Sequence, residues 1–413
     1  MLSPGQLLNK AILIVSGGPE AVPGIRRAIA MGLHVVVSDM NPGAPGFAFA
    51  HDRLLASTYD VEETIAVARV YHTQTRPLNG VVSMAADVPL TVATVAAELG
   101  LPGIPVEAAR LASDKLAMKD RFAERGVAIP WYAPVESYAH LLDLLKTHPF
   151  PIVLKPVDSR GARGVLKLSD QFDLKWAYEY SRSQSPTART MVEEFLSGPQ
   201  ISSESILIGN EAATPGFSDR NYEFIDRFAP CIIENGGDMP TALSDSARKE
   251  VSDLTIAAGR ALGVVSGIVK GDMVYTPDGA KVIEVATRLS GGWFSSDQIP
   301  LATGVDIVGA AIRIAIGEPP TLAEIEPKYW KGAAIRYFFP EPGKVTAIKN
   351  VEKFDGCDWI NRLMFFVKPG DELHPTTDHT KRAGCVITAG ETKAEAIARA
   401  NEVIDTIRIE TVR

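Results

Sequence analysis

Gly267-Ile268-Val269-Lys270-Gly271-Asp272-Met273-Val274 and Lys281-Val282-Ile283-Glu284-Val285-Ala286-Thr287-Arg288 decide the fold. Both runs are largely apolar, and Pro277-Asp278-Gly279 between them has turn chemistry, so residues 267–274 and 281–285 are expected as paired antiparallel strands. Asp272 and Glu284, twelve residues apart, then stand side by side. A carboxylate inside the apolar run Val282-Ile283-Glu284-Val285 is costly unless its charge is compensated. Two arrangements compensate it. One is an Arg–Glu ion pair within the sheet. The other is a set of Mg²⁺ ions shared by the two carboxylates and bridging to nucleotide phosphates. If the second strand continues, Arg288 projects on the face of Glu284. Leu289-Ser290-Gly291-Gly292 follows, where two glycines permit a turn whose N–H groups can hold an anion beside the arginine; a plain loop explains the string equally well.

Upstream, Lys155-Pro156-Val157-Asp158-Ser159-Arg160-Gly161-Ala162-Arg163-Gly164-Val165 sets a lysine at a strand end before a glycine-containing turn. Such a turn offers backbone N–H groups and cations to a polyphosphate, and its glycines permit close approach. It is neither a Walker loop nor a dinucleotide fingerprint, and an ordinary hairpin with charged flanks is the plainer alternative.

The remaining composition narrows the choices. At roughly 150 residues per domain, 413 residues suggest about three domains. Lys plus Arg total 42 against 50 Asp plus Glu, a net charge of −8 with no basic run, which argues against binding nucleic acid through its phosphates. Apolar residues at 46% and charged residues at 22% exclude wholesale disorder. Cys231, Cys357 and Cys385 are too scattered for a disulfide framework or zinc set and are read as buried thiols in a reducing compartment. No stretch reaches the ~18 apolar residues of a membrane span. Polar Ser3, Gln6, Asn9 and Lys10 precede the first apolar run, unlike a signal peptide, so a cytoplasmic protein without membrane contact is expected.

Along the chain, the first hundred residues alternate apolar runs with amphipathic stretches, the mark of β-α units on a parallel sheet. Strands are expected at residues 11–15, 34–38 and 80–83, with helices at 24–31, 61–72 and 90–99. Ser113 is expected to cap the helix carrying Lys115 and Lys119. Strands at 151–155, 165–168, 191–194 and 203–208 follow, with a helix at 174–182. A loop-rich section runs to Pro240, where residues 217–240, with Arg220, Arg227 and Glu234, are expected to line a substrate pocket. Helices at 246–262 and 393–406 complete the outline. His374 and His379 read as a solvated pair in a polar loop.

In this order the motifs resemble the ATP-grasp superfamily of carboxylate–amine ligases, over nearly the whole chain. Ser113-Asp114-Lys115 and Gly126-Val127-Ala128-Ile129-Pro130 resemble the start of its lid, with Lys115 on the nucleotide phosphates. Lys155 resembles its second phosphate lysine, and Ser159, Arg160, Gly161, Ala162 and Gly164 its mobile loop. Val192-Glu193-Glu194-Phe195-Leu196 resembles the hinge that holds adenine, with Glu204 among the nucleotide residues. The resemblance makes Asp272 and Glu284 the metal carboxylates and assigns Arg288, with Lys155, Gly291 and Gly292, to catalysis. It implies an α/β fold with a parallel-sheet domain at 1–112, an ATP-grasp domain at 113–325 with its lid at about 120–190, and a small β-rich domain at 326–413. It further implies ATP and Mg²⁺, with Mn²⁺ as a substitute, carboxylate and amine substrates, and homodimerisation as is common among relatives.

The C-terminal strings Gly332-Ala333-Ala334-Ile335-Arg336 and Gly384-Cys385-Val386-Ile387 are similar to those of biotin carboxylase and L-amino-acid (dipeptide) ligases. Ala286 stands where many relatives carry Asn, so one metal or phosphate contact must be absent or supplied elsewhere. Arg336, followed by Tyr337 and Phe338, lacks the second Arg of biotin carboxylase, which favours amino-acid ligation over bicarbonate activation. Two rivals remain at this point: a nucleotide-binding module without catalysis, and an NAD enzyme using Ser16-Gly17-Gly18 with Asp39 on a ribose.

Overall fold

The computed structural model describes residues 9–412, so Ser3 and Gln6 of the polar N-terminal stretch lie outside the described residues. Ala11–Val15 is fully buried on both faces, as its unbroken apolar run requires inside a parallel sheet. That sheet has the order Asp52–Leu55, His34–Asp39, Ala11–Val15, Gly80–Ser83. On one face Ile12 and Ile14 pack with Ile25 and Ala28 of the helix Val22–Ala30 and with Ile307 and Ile312 of the helix Ile307–Ala315. On the other, Leu13 and Val15 pack with Ile65 and Ala68 of Val61–Gln74 and Val95 of Pro89–Glu98. Gly80 is required where this late helix ends, because a Cβ there would lie 2.3 Å from the Ala315 carbonyl oxygen.

The central sheet is antiparallel and eight-stranded. Its order is Gly279–Ala286, Gly267–Thr276, Gln200–Ile208, Glu211–Arg220, Gly237–Met239, Gly332–Tyr337, Gly384–Gly390, Ile360–Phe365. It therefore runs without a break through residue 325 into the last third of the chain. Met118 and Phe122 of the helix Lys115–Glu124, with Val251, Ala258 and Leu262 of Asp245–Leu262, cover Ile201, Val269 and Val282. Helix Lys115–Glu124 is capped by Asp114, which accepts the Ala117 N–H at 3.0 Å, and not by Ser113, which ends the preceding helix Val106–Ala112. The strand Glu211–Arg220 falls in the section expected to be loop. Its Thr-Pro-Gly interruption hides it, and the register shift between Ala213 and Gly216 accommodates Pro215.

A four-stranded lid sheet, Tyr132–Val135, Thr190–Glu194, Ile152–Pro156 and Leu166–Leu168, has its own core around Leu141, Leu154, Leu166 and Ala177. In the last third, Ala396, Ala400 and Val403 of Lys393–Thr406 pack on Ala334 and Val386. A small sheet of Glu372–Leu373, Gly343–Lys349 and Arg408–Val412 flanks them. All three cysteines are free. Among the described residues no helix is long and apolar enough to cross a membrane.

Candidate active site

A cleft of about 990 Å³ opens where the parallel, lid and central sheets meet. Its back wall is an ionic cluster that bridges lid and central sheet. Lys155, at the end of its lid strand, donates to Glu193 Oε1 at 2.5 Å, and Lys119 lies 3.2 Å from Glu193 Oε2 while donating to the Val282 carbonyl at 3.3 Å. Burial raises the Glu193 pKa, but Lys119 and Lys155 outweigh it and hold the carboxyl below its usual range. Burial drives Lys119 down to about 8, against the pull of Glu193. Glu193, from the string that resembles the adenine hinge, is thus engaged by two lysines.

Asp272 and Glu284 face each other in register on adjacent strands, and the register shift beside Asp272 leaves one extra residue on the Glu284 strand. Asp272 accepts from Arg220 Nη1 at 2.5 Å and is also bonded to Lys270. Glu284 lies 3.6 Å from Lys115 Nζ. Burial opposes its ionisation, but Lys115, Lys155, Lys270 and Arg220 together hold its pKa low. Ala286 is paired in register with Lys270, whose ammonium is bonded to Asp272.

The loop at residues 157–165 lies across the cleft. The Ser159 carbonyl accepts from Lys115 Nζ at 2.9 Å, and Gly161, Ala162 and Gly164 all adopt positive φ. Arg160, expected on phosphates, instead lies 3.4 Å from Asp87 Oδ2 and 4.5 Å over the Tyr59 ring. Glu194, Phe195 and Leu196 line the cleft beyond the back wall.

Three expectations need correction here. The strand ends at Ala286, so Arg288 sits in a bend and does not continue the face of Glu284; it lines the same cleft by donating to Asp87 Oδ1 at 3.2 Å and the Leu289 carbonyl at 3.0 Å. The Gly292 N–H, read as a free anion holder, donates to Glu20 Oε2 at 2.7 Å. Glu204 is fully buried beneath the turn, where its carboxylate accepts the Ser290 N–H and the Ser295 hydroxyl, both at 2.8 Å. It shapes the turn and does not line the cleft. Burial pushes its pKa up to about 7, only partly offset by those bonds and by Arg288 and Lys270.

Arg220 bridges Asp272 and Glu234 from a strand, not from a loop. His379 departs from the solvated reading: it lines the cleft, its Nε2 accepts the Glu234 N–H at 3.3 Å, and burial with Arg382 and Arg220 nearby drives its pKa well down. Asp39 accepts the N–H groups of Gly17 and Asn41 at 2.9 Å each, so it ties two turns together where the NAD reading needs it on a ribose. Asp87, Lys270 and the ionic role of Lys119 escaped sequence reading. Lys119 follows Lys115 by one helical turn, a readable signal; Asp87 carries none.

The ATP-grasp domain family matches residues 112–292, which span the helix of Lys115, the lid, the Asp272–Glu284 pair and the Gly291-Gly292 turn. The chain carries an ATP-grasp domain. Beyond it, residues 336–412 match L-amino acid ligase C-terminal domain 2, which supplies Tyr337, His379 and Arg382 to the cleft. An uncharacterized protein, y4rH, of Sinorhizobium fredii (strain NBRC 101917 / NGR234) is 24% identical over 96% of this chain and 83% of its own length. A phosphoribosylamine–glycine ligase of Methanococcoides burtonii is 27% identical over 81% of this chain and 80% of its own. The crystal structure of an L-amino acid ligase from Bacillus licheniformis superposes with a TM-score of 0.82 at 21% identity, covering 98% of this chain and 99% of that one. Its likeness shows that the fold extends around the ATP-grasp domain on both sides.

Proposed function

We propose that the chain is an ATP-dependent carboxylate–amine ligase, with amino acids as substrates, that releases ADP and phosphate. The observation that carries this reading is the convergence of Lys115, Lys155, Asp272 and Glu284 on one cleft beneath a glycine-containing loop. The L-amino acid ligase domain at residues 336–412 supports amino-acid substrates over bicarbonate. The division at residues 112 and 325 belongs to the same proposal.

Asp272 and Glu284 are hard oxygen donors facing each other, which suits Mg²⁺, or Mn²⁺ in its place. Among the described residues no three or more His, Cys, Asp or Glu form a metal cage. A cation that takes its other ligands from phosphates and water needs none, and it would neutralise charge on the transferring phosphoryl group.

In this reading Lys115 and Lys155 hold the ATP phosphates while backbone atoms of residues 193–196 hold adenine. A substrate carboxylate oxygen attacks the γ-phosphorus in line; the bond to the β-phosphate oxygen breaks and ADP leaves. Such a transfer is governed by positioning and charge neutralisation. The amine nitrogen then attacks the acyl carbon, Arg288 and the Gly291 N–H stabilise the oxyanion, and phosphate leaves as the amine sheds its proton. The loop shields the acyl-phosphate from water.

Incubation with ATP, Mg²⁺, single amino acids and hydroxylamine tests the proposal. Carboxylate-dependent ADP release with a trapped hydroxamate is expected. A full amino-acid panel yielding no carboxylate-dependent phosphate overturns it and favours a nucleotide-binding module.

A further inference from the structure

We infer that Asp87 is a positioning residue that latches the 157–165 loop shut and orients Arg288 through the same carboxylate. The inference rests on the ligase reading for Arg288. Asp87 follows the strand Gly80–Ser83 and stands half-buried in the wall opposite the lid. Its two oxygens are divided between two arginines: Oδ1 accepts Arg288 Nε at 3.2 Å, and Oδ2 lies 3.4 Å from Arg160 Nε. Burial raises its pKa, yet Arg288, Arg160 and Lys115 outweigh burial and keep it ionised.

Within the loop, residues 159–161 are fastened to three parts of the chain. Ser159 is held by Lys115, the Gly161 carbonyl accepts the His379 N–H at 3.0 Å, and Arg160 reaches Asp87 and the Tyr59 ring. Of these, the Arg160 contact shares its acceptor with Arg288. With the loop closed, Arg160 draws part of the carboxylate's charge, and Arg288 keeps N–H groups free for the acyl-phosphate. With the loop open, Asp87 loses Arg160, leans more on Arg288 and grips it harder. Arg288 is then available for chemistry only when water is excluded, which suits an intermediate that hydrolyses.

The test compares wild type with Asp87→Asn, Asp87→Glu and Arg160→Gln. Tryptic cleavage after Arg163, which all four retain, reads loop opening without any turnover. ADP formed per hydroxamate trapped reads leakage of the acyl-phosphate. Asp87→Asn and Arg160→Gln are expected to be cut at least about fivefold faster. They are also expected to raise the ADP-to-hydroxamate ratio and to lower kcat about tenfold with little change in the KM for ATP. Asp87→Glu restores part of each effect. Arg160→Gln alters only a loop side chain, so the question stays open to refutation if Asp87→Asn fails to fold. Unchanged cleavage in Arg160→Gln overturns the latch, and faster cleavage with an unchanged ADP-to-hydroxamate ratio overturns its link to Arg288. A wild-type protein without ADP formation overturns the ligase reading while the cleavage rates still decide the latch.

Discussion

Asp272 and Glu284 stand directly opposite each other across an antiparallel pair, so two carboxylates face one cleft with four cations around them. Repulsion between such neighbours is tolerated because Lys115, Lys155, Lys270 and Arg220 supply the opposing charge. If the pair holds a divalent cation, Glu284→Gln should lower ADP formation at saturating ATP by about a hundredfold or more. Near wild-type turnover in that variant would remove the metal assignment.

The buried cluster of Lys155, Glu193 and Lys119 makes an asymmetric prediction for stability. Glu193→Gln leaves two buried ammonium groups unpaired and should cost about 3–5 kcal/mol. Lys119→Met leaves the Lys155–Glu193 pair intact and removes a group whose charged form burial disfavours, so it should cost clearly less. Urea unfolding at pH 7 measures both; equal losses would mean that the three groups do not act as drawn.

Glu204 predicts a pH dependence. Its folded pKa of about 7 lies above the ordinary 4.5, so the folded state binds more protons than the unfolded one between those values. The stability contributed by the protonated form is therefore complete below about pH 4.5 and lost as pH rises through about 7. Glu204→Gln keeps an acceptor for Ser290 and Ser295 without this titration. It should match wild type near pH 5 and exceed it by up to about 3 kcal/mol at pH 8. Melting curves that stay parallel from pH 5 to 8 would contradict the shift.

Gly292 has φ 65°, and a Cβ on it would lie 3.0 Å from the Tyr337 hydroxyl. Gly292→Ala should cost about 1–2 kcal/mol from backbone strain alone and displace the turn beneath the proposed acyl site. Adding Tyr337→Phe relieves the steric part, so the double variant should recover some kcat relative to Gly292→Ala. Strict additivity of the two changes would show that they do not touch.

Much of the site was legible in local chemistry. Glu284 announced itself as a charge in an apolar strand, and residues 155–165 as a lysine before a glycine-containing turn. Both signals survive because a carboxylate is costly to bury and a tight turn restricts residue type, whatever lies elsewhere in the fold. The strand Glu211–Arg220 was not legible, since its stability comes from pairing with Gln200–Ile208 and overrides the Pro and Gly within it.

The sequence by itself determined which segments are strands and helices in the apolar runs, which carboxylates pair across the hairpin, and hence the ATP-grasp resemblance. The segments and the carboxylate pairing depend on periodicity and spacing over a few tens of residues, while the resemblance rests on the order of the motifs along the chain. Only the tertiary structure decided that Lys119 backs Lys155, that Glu204 lies beneath the turn instead of in the cleft, and that Asp87 meets both Arg160 and Arg288. Those pairs lie far apart in the chain or on different sheets. Charges act through space with no regard to sequence separation, so their partners are set by how the sheets dock, which no local pattern records.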